Sequence, residues 1–216
     1  MKTFFLEVRT SLLLTLVLAV LLCGVYPLVV YAGAQLLFPF QANGSLITDA
    51  TGAVRGSRLL AQSFTAENYF QPRPSAAGRG YDATSSGGTN LGPTSRKLRD
   101  NIAAAITSYR TANFLAADAP VPADAVTSSG SGLDPDISVA NAEIQSVRVA
   151  KTRQLPLDRI RALVAQHTDG PDWGIFGEPR VNVLRLNLAL DAIAEAGPRA
   201  SVRASSGKRE RGAPER

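Results

Sequence analysis

The chain has 216 residues, 45% hydrophobic and 19% charged, with a formal net charge of +5, one cysteine and one histidine. That length holds one domain plus an appendage; a single cysteine excludes an intrachain disulfide framework, and a single histidine excludes a multi-histidine metal site. The charge does not indicate a nucleic-acid binder: from Pro198 onward six Lys or Arg stand against two Glu, so the body is close to neutral, and this Gly/Ser/Pro-containing tail lacks the readers of a phosphate-gripping face.

Residues 1–10 form a short N-terminal segment that carries Lys2, Glu7 and Arg9. Ser11 to Ala34 then runs 24 residues without a charge, rich in Leu and Val. As a helix this is about 36 Å long, enough to cross a hydrocarbon core of about 30 Å. It is long for a signal peptide, whose apolar region is typically about 7–15 residues, so an uncleaved anchor at 11–34 is the expectation. Ala32-Gly33-Ala34 nevertheless has the small-x-small form of a cleavage site. Cys23 lies in the apolar run, and the Leu21-Leu22 before it does not suit a lipoprotein site. Lys2 and Arg9 precede the span and no positive charge follows until Arg55. The positive-inside rule therefore keeps the N-terminus cytoplasmic and puts the soluble body outside a cell (inner or plasma) membrane. Tyr26, Pro27 and Tyr31 suit the outer interface, with Pro27 a candidate kink.

Residues 39–197 are expected to form the extracytoplasmic body and 198–216 a disordered basic tail. Residues 39–57 read as loops with a short apolar Leu46-Ile47, and Leu59 to Phe64 as a short strand. The stretch Tyr69 to Thr94 contains Pro72 and Pro74, which remove backbone donors, and a series of glycines. Yet it also carries Tyr69, Phe70, Arg73, Tyr81 and Asp82, too much side chain for a plain linker. An ordered, functional loop of about 25 residues is expected, against a well-packed structural loop. Pro93 suits the first turn of a helix in which Leu98, Ile102, Ala105, Ile106 and Tyr109 form one stripe up to about Phe114. Ala117 to Pro135 is loop-rich. Ser138 is a candidate N-cap for a helix from Val139 to Thr152, and Pro156 opens another with Leu157, Ile160, Leu163, Val164 and His167 on one face. Val181 to Leu186 alternates as a strand would, and Leu188 to Ala196 reads as a helix stopped by Gly197-Pro198. The expected fold is a mixed α/β soluble domain anchored by a single N-terminal transmembrane α-helix.

The chemistry of catalysis is thin. His167 ends an apolar stripe, where packing or capping explains it, and no G-x-S-x-G elbow accompanies it. Neither Gly-rich loop is followed by the Lys-Ser/Thr pair of a phosphate-binding loop. Asp82, Asp134 and Glu178 show no calcium-loop spacing. A single uncharged span also cannot form an ion pathway, so a role in transport would be that of a subunit.

Several segments carry a resemblance. Tyr69-Phe70, Arg73-Pro74-Ser75-Ala76, Tyr81-Asp82, Ser86-Gly87-Gly88-Thr89-Asn90 and Leu91-Gly92-Pro93-Thr94 occur here in order. So do Gly56-Ser57 with Gln62-Ser63-Phe64, Val126 through Pro135 (VTSSGSGLDP), Arg148-Val149-Ala150, and Gly177 through Leu184 (GEPRVNVL). Together, over about residues 5 to 192, they resemble the C subunit of the Kdp potassium-importing P-type ATPase. The resemblance implies a non-catalytic accessory subunit acting in assembly or stability of a potassium-import complex. Its implied partners are a channel-like translocating subunit and an ATP-hydrolysing subunit, in the membrane and without nucleic acid. It also implies a chaperone that raises the pump's affinity for ATP, with nucleotide contact at Ser86 through Asn90 and at Gln145.

ATP is hydrolysed in the cytoplasm, however, and the charge rule puts those residues outside. A domain capping the outer entrance, acting on ATP affinity through a coupling energy, is the physically easier route. Interface or ligand candidates are Phe70, Arg73, Tyr81, Asp82, Gly87, Gly88, Asn90, Asp134, Gln145 and Arg180, with internal packing the competing role for each. Asp136 and Ser95 depart from the pattern, which has histidine and asparagine there. The alternative class is an anchored or exported binding or enzyme domain unrelated to transport.

Overall fold

A computed structural model describes residues 1–49 and 51–193. Two compact units divide it, the first Met1–Ser57 and the second from Arg58 onward.

The first unit is dominated by the apolar helix. Helix α1 (Lys2–Ala19) passes through a π-helical turn, Val20–Val25, into α2 (Tyr26–Leu37). The span from Thr3 to Leu37 is long and apolar enough to cross a membrane. The helix begins earlier and ends later than the uncharged run, because nothing before Pro39 breaks it. Pro27 does not stop it. Its missing N–H and its ring are incompatible with an ordinary bond to the carbonyl four residues back, and the preceding turn widens instead. The Tyr26 N–H donates to the Leu21 carbonyl, five residues back, as π-bulges allow.

Residues 39–57, expected as loops, contain a one-turn helix α3 (Pro39–Ala42) and a hairpin of β1 (Leu46–Thr48) and β2 (Val54–Ser57). The strands pair antiparallel with an irregularity between Ile47 and Thr48. Asp49 organises the turn, its Oδ1 accepting from the Thr51 amide and hydroxyl and the Ala53 amide, while Arg55 pairs with Oδ2.

The second unit is the mixed α/β body. Its helices are α4 (Arg96–Ala112), α5 (Ala123–Val126), α6 (Val139–Arg153), α7 (Leu157–Gln166) and α8, which spans 183–193. Strands β3 (Asp136–Ser138), β4 (Thr168–Asp169) and β5 (Arg180–Asn182) form one antiparallel sheet in the order β3-β5-β4. Ile137 faces Val181 in register, and Thr168 pairs with Val181 from the other side. Phe70, Ile137, Ala142, Val149, Ile160, Val164, Val181, Leu186 and Leu190 are the centre of the core. Burying such side chains is worth about 1.5–3 kcal/mol each for the larger ones.

Ser138 caps α6 as expected, its hydroxyl accepting from the Asn141 amide. Pro156 precedes α7, and His167 ends it with Nδ1–H donating to the Leu163 carbonyl at 3.0 Å. Three expectations are corrected. Helix α4 starts at Arg96, not at Pro93, because the Ser95 hydroxyl accepts from the Leu98 amide and supplies the cap. Leu59 to Phe64 forms no strand; Ala61 makes one backbone bond, to Leu133. Val181 to Leu186 is a strand only to Asn182. There the Asn182 Oδ1 accepts from the Arg185 amide, the side-chain bond of a helix N-cap, so Val183, Leu184 and Leu186 enter the core from a helix. The expected stop at Gly197-Pro198 and the basic tail lie outside the described residues.

Candidate functional site

The loop from Tyr69 to Thr94 has no regular structure, yet it is fastened along its length. At its start, Phe70 is fully buried. The side-chain amide of Asn187 on α8 clasps its backbone: Oδ1 accepts from the Phe70 N–H and Nδ2 donates to the Phe70 carbonyl, both at 2.9 Å. Gln145 on α6 does the same for the next residue, accepting from the Gln71 N–H at 2.7 Å and donating to its carbonyl at 3.0 Å. Tyr69 donates to Asp191, and the Arg153 guanidinium lies over its ring.

Beneath this start sits Arg148, also fully buried. Its Nε donates to Asn113, its Nη1 to the carbonyls of Glu67 and Tyr69, and its Nη2 to Gln145. Every partner is a neutral acceptor. Burial pushes the guanidinium pKa down from its ordinary value, but an arginine remains charged at any physiological pH.

The middle of the loop packs on the second Gly-rich segment, 129–134. The Ser75 hydroxyl donates to the Gly132 carbonyl at 2.6 Å and accepts from the Tyr81 amide at 2.8 Å. The Gly87 amide donates to the Ser131 carbonyl. Gly132 has φ +69, and a Cβ there would lie 2.6 Å from both the Ala77 nitrogen and the Gly87 oxygen. At Gly88 a Cβ would lie 3.0 Å from the Gly130 oxygen. These glycines therefore serve the close approach of two backbones.

Arg73 and Asp134 close the same contact with an ion pair at 2.7 Å. The Tyr81 hydroxyl donates to the Arg73 carbonyl, and burial raises its pKa. Asp82 is tied locally, its Oδ1 accepting from the Thr84 hydroxyl and amide, which lower its pKa. Arg180, on β5, lies between Asp136 and Asp172. Its hydrogen bond to Asp172 raises its pKa.

The sequence candidates thus separate. Phe70 and Gln145 are internal fasteners, and each polar atom of the Gln145 amide is engaged within the chain, Nε2 also donating to Asn141. Gly88 is a packing glycine, Gly87 contributes its backbone amide to Ser131, and Arg73 and Asp134 form a partly buried pair. Asn90, with φ 52, is exposed, as is the Thr84 side of the Asp82 turn. Two grooves of about 400 Å³ each flank α4, one lined by Tyr81, Tyr109 and Gln71, the other by Leu91, Leu98 and Ile102. No residue of α4 is fully buried.

Sequence reasoning missed the fasteners Asn187, Arg148, Ser75 and Asp124. Asp124 accepts from the Ser138 amide and hydroxyl and from Asn141. Their signal was polar residue types at positions whose neighbours are all apolar, as Asn187 stands between Leu186 and Leu188.

Comparison with known proteins gives one consistent result. The sequence model of the family described as "KdpC: K+-transporting ATPase, c chain" matches residues 8–192. Proteins named "Potassium-transporting ATPase KdpC subunit" are similar over nearly their whole length. The one from Nitratidesulfovibrio vulgaris is 54% identical over 190 residues, covering 87% of this chain and 94% of its own. That from Mycobacterium bovis is 52% identical over 187 residues, covering 87% and 98%. The one from Myxococcus xanthus is 50% identical over 211 residues, covering 96% and 98%, so similarity continues past residue 192 into the basic tail.

Proposed function

The chain belongs to the KdpC family, the c chains of the K+-transporting ATPase, and on that premise we propose that it is a non-catalytic, single-pass accessory subunit whose body docks on the outer face of the potassium-translocating subunit. Docking uses the rim of the Tyr69–Thr94 loop, at the exposed Asn90 and the half-buried Tyr81 and Asp82, with the flank of α4 beside it. The observation that carries this reading is the division of labour in the loop. Its buried side is fastened to α6, α8 and the 129–134 segment, so its exposed side is held rigid without any bound molecule. Rigid presentation of a few side chains is what lowers the entropic cost of association.

The same observation supports an indirect effect on ATP affinity. Gln145 engages its amide with Gln71, Asn141 and Arg148, the Gly87 amide donates to the Ser131 carbonyl, and Gly88 packs against the Gly130 backbone. Neither stretch is a preformed nucleotide cradle. A subunit that assembles with the ATP-hydrolysing partner raises its nucleotide affinity through a coupling free energy, typically about 1–3 kcal/mol. Family membership speaks against the alternative of an anchored domain unrelated to transport.

The test is copurification in mild detergent of the tagged full-length chain with the translocating and ATP-hydrolysing subunits. An Asp82→Ala, Asn90→Ala double variant is expected to recover markedly less of the translocating subunit while keeping its far-UV circular dichroism. Undiminished recovery would move the contact away from the loop, to the helix or another face.

A further inference from the structure

The turn between β4 and β5 displays three large apolar side chains to solvent. Trp173 is 91% exposed, Ile175 79% and Phe176 60%. Nothing about folding asks for them there, since apolar residues stabilise a fold by leaving water. Trp173 also sits at φ +52, a region that a bulky side chain enters at a cost of order 1–3 kcal/mol and that often marks function.

The turn is nonetheless well built. Asp172 and Phe176 exchange two backbone bonds, of 2.8 and 3.0 Å, and the two rings meet edge to face with centroids 5.9 Å apart. Arg180 on β5 reaches back to the Asp172 carboxylate at 3.1 Å and to Asp136 on β3 at 3.3 Å. Asp172 is the only charged residue from 171 to 177, and it is ion-paired. From 171 to 177 the tip is therefore apolar and rigid, with its one charge ion-paired; the exposed Glu178 follows it on the way into β5.

We propose that this turn is a second membrane contact, placing Trp173, Ile175 and Phe176 in the headgroup region of the bilayer that the N-terminal helix crosses. Three observations favour lipid over a protein surface. Tryptophan with an apolar neighbour is the residue type that settles at membrane interfaces. A stable protein interface buries about 1,200–2,000 Å² in total, far more than a tip of three side chains offers. The body is also tethered: residues 38–57, between the end of α2 and the start of the second unit, reach at most about 70 Å when fully extended. A body tethered to the bilayer meets it as an effectively intramolecular step. The proposal rests on the membrane anchor alone and is independent of the docking surface proposed above.

Trp173 is the only tryptophan, so its fluorescence reports on the tip directly. Full-length chain is reconstituted into phosphatidylcholine vesicles carrying bromine either near the headgroup or near the acyl-chain ends. The expected result is blue-shifted emission, protected from aqueous acrylamide and quenched more by the shallow bromines than by the deep ones. An Ile175→Ser, Phe176→Ser variant should lose most of that quenching. Flotation with the vesicles is read in the same samples. A chain that does not float refutes the anchor, and with it the proposal. A chain that floats while Trp173 stays acrylamide-accessible and unquenched refutes the tip alone. Shielding without bromine quenching, seen only in the assembled complex, assigns the tip to a protein partner and overturns the proposal.

Discussion

The side-chain amide of Asn187 hydrogen-bonds both the N–H and the carbonyl of Phe70, at 2.9 Å each, in the buried centre of the body. One side chain thereby satisfies two backbone groups that the irregular loop leaves without a strand or helix partner. Asn187→Ala orphans both, at about 1–3 kcal/mol for each unsatisfied buried group. The expected loss is about 2–6 kcal/mol, read as a lower thermal midpoint by circular dichroism of the full-length chain in detergent. Asn187→Asp keeps the acceptor, loses the donor and buries a charge, and should be no better than alanine.

Arg148 extends the same logic to several acceptors at once. Arg148→Met leaves the carbonyls of Glu67 and Tyr69 and the amide oxygens of Asn113 and Gln145 without this donor. At about 1–3 kcal/mol per unsatisfied group, a loss of at least about 3 kcal/mol is expected, with the 67–71 segment released first. Arg148→Lys keeps the charge but not the planar fork, so it should recover only part of the loss. Limited proteolysis near residue 70, faster in both variants than in the parent chain, is the readout.

These two residues also mark the limit of what the sequence discloses. The membrane helix was legible because uncharged length is a one-dimensional property. The α6 and α7 helices were legible because apolar periodicity and the Ser138 cap are local. The Tyr69–Thr94 loop was recognisable as ordered from its aromatic and charged residues, but its fasteners come from residues 57 to 117 positions away, and no local pattern encodes that. Val181 to Leu186 misled for a related reason. Its alternation is real, yet Asn182 converts it into a helix start through one side-chain bond. The hairpin of β1 and β2 went unseen because its strands are only three and four residues long, and its turn, with Gly52 at φ +82 and Asp49 as organiser, is not the Asn-Gly or Asp-Gly pair that signals a hairpin.

Asp136 predicts a pH dependence. Burial raises its pKa, offset in part by the Asn182 hydrogen bond and by Arg180. A raised carboxylate pKa means that its contribution to stability is present below the ordinary value of 3.8 and is lost as the pH rises through the raised one. Asp136→Asn, which still accepts from Asn182, should therefore stabilise the body at neutral pH and have little effect in acid. Thermal midpoints of parent and variant that converge as the pH falls would bear this out; a gap independent of pH would contradict it. Asp49 has the opposite sign. Its pKa is lowered to about 2, chiefly by the Thr51 hydroxyl, so the hairpin turn should loosen only as the pH falls from 3.8 towards that value.

Gly132 tests whether the two Gly-rich segments act as one platform. At φ +69, with the Ala77 nitrogen and the Gly87 oxygen each 2.6 Å from an added Cβ, Gly132→Ala meets backbone on two sides and strain of its own. Neither neighbour can swing aside as a side-chain end would, so the 75–88 and 129–134 segments must part. That breaks the Ser75–Gly132 and Gly87–Ser131 bonds while the core around Ile137 and Val181 stays intact. Two net hydrogen bonds at about 0.5–1.5 kcal/mol each, plus roughly 1 kcal/mol of left-handed strain, give an expected loss of about 2–4 kcal/mol. If the rim at Asp82 and Asn90 docks the translocating subunit, its recovery in copurification should fall in the same variant, although Gly132 is itself packed between the two loops. Gly130→Ala is the control. An added Cβ there meets nothing within 4 Å, so it should leave both stability and copurification near the parent values.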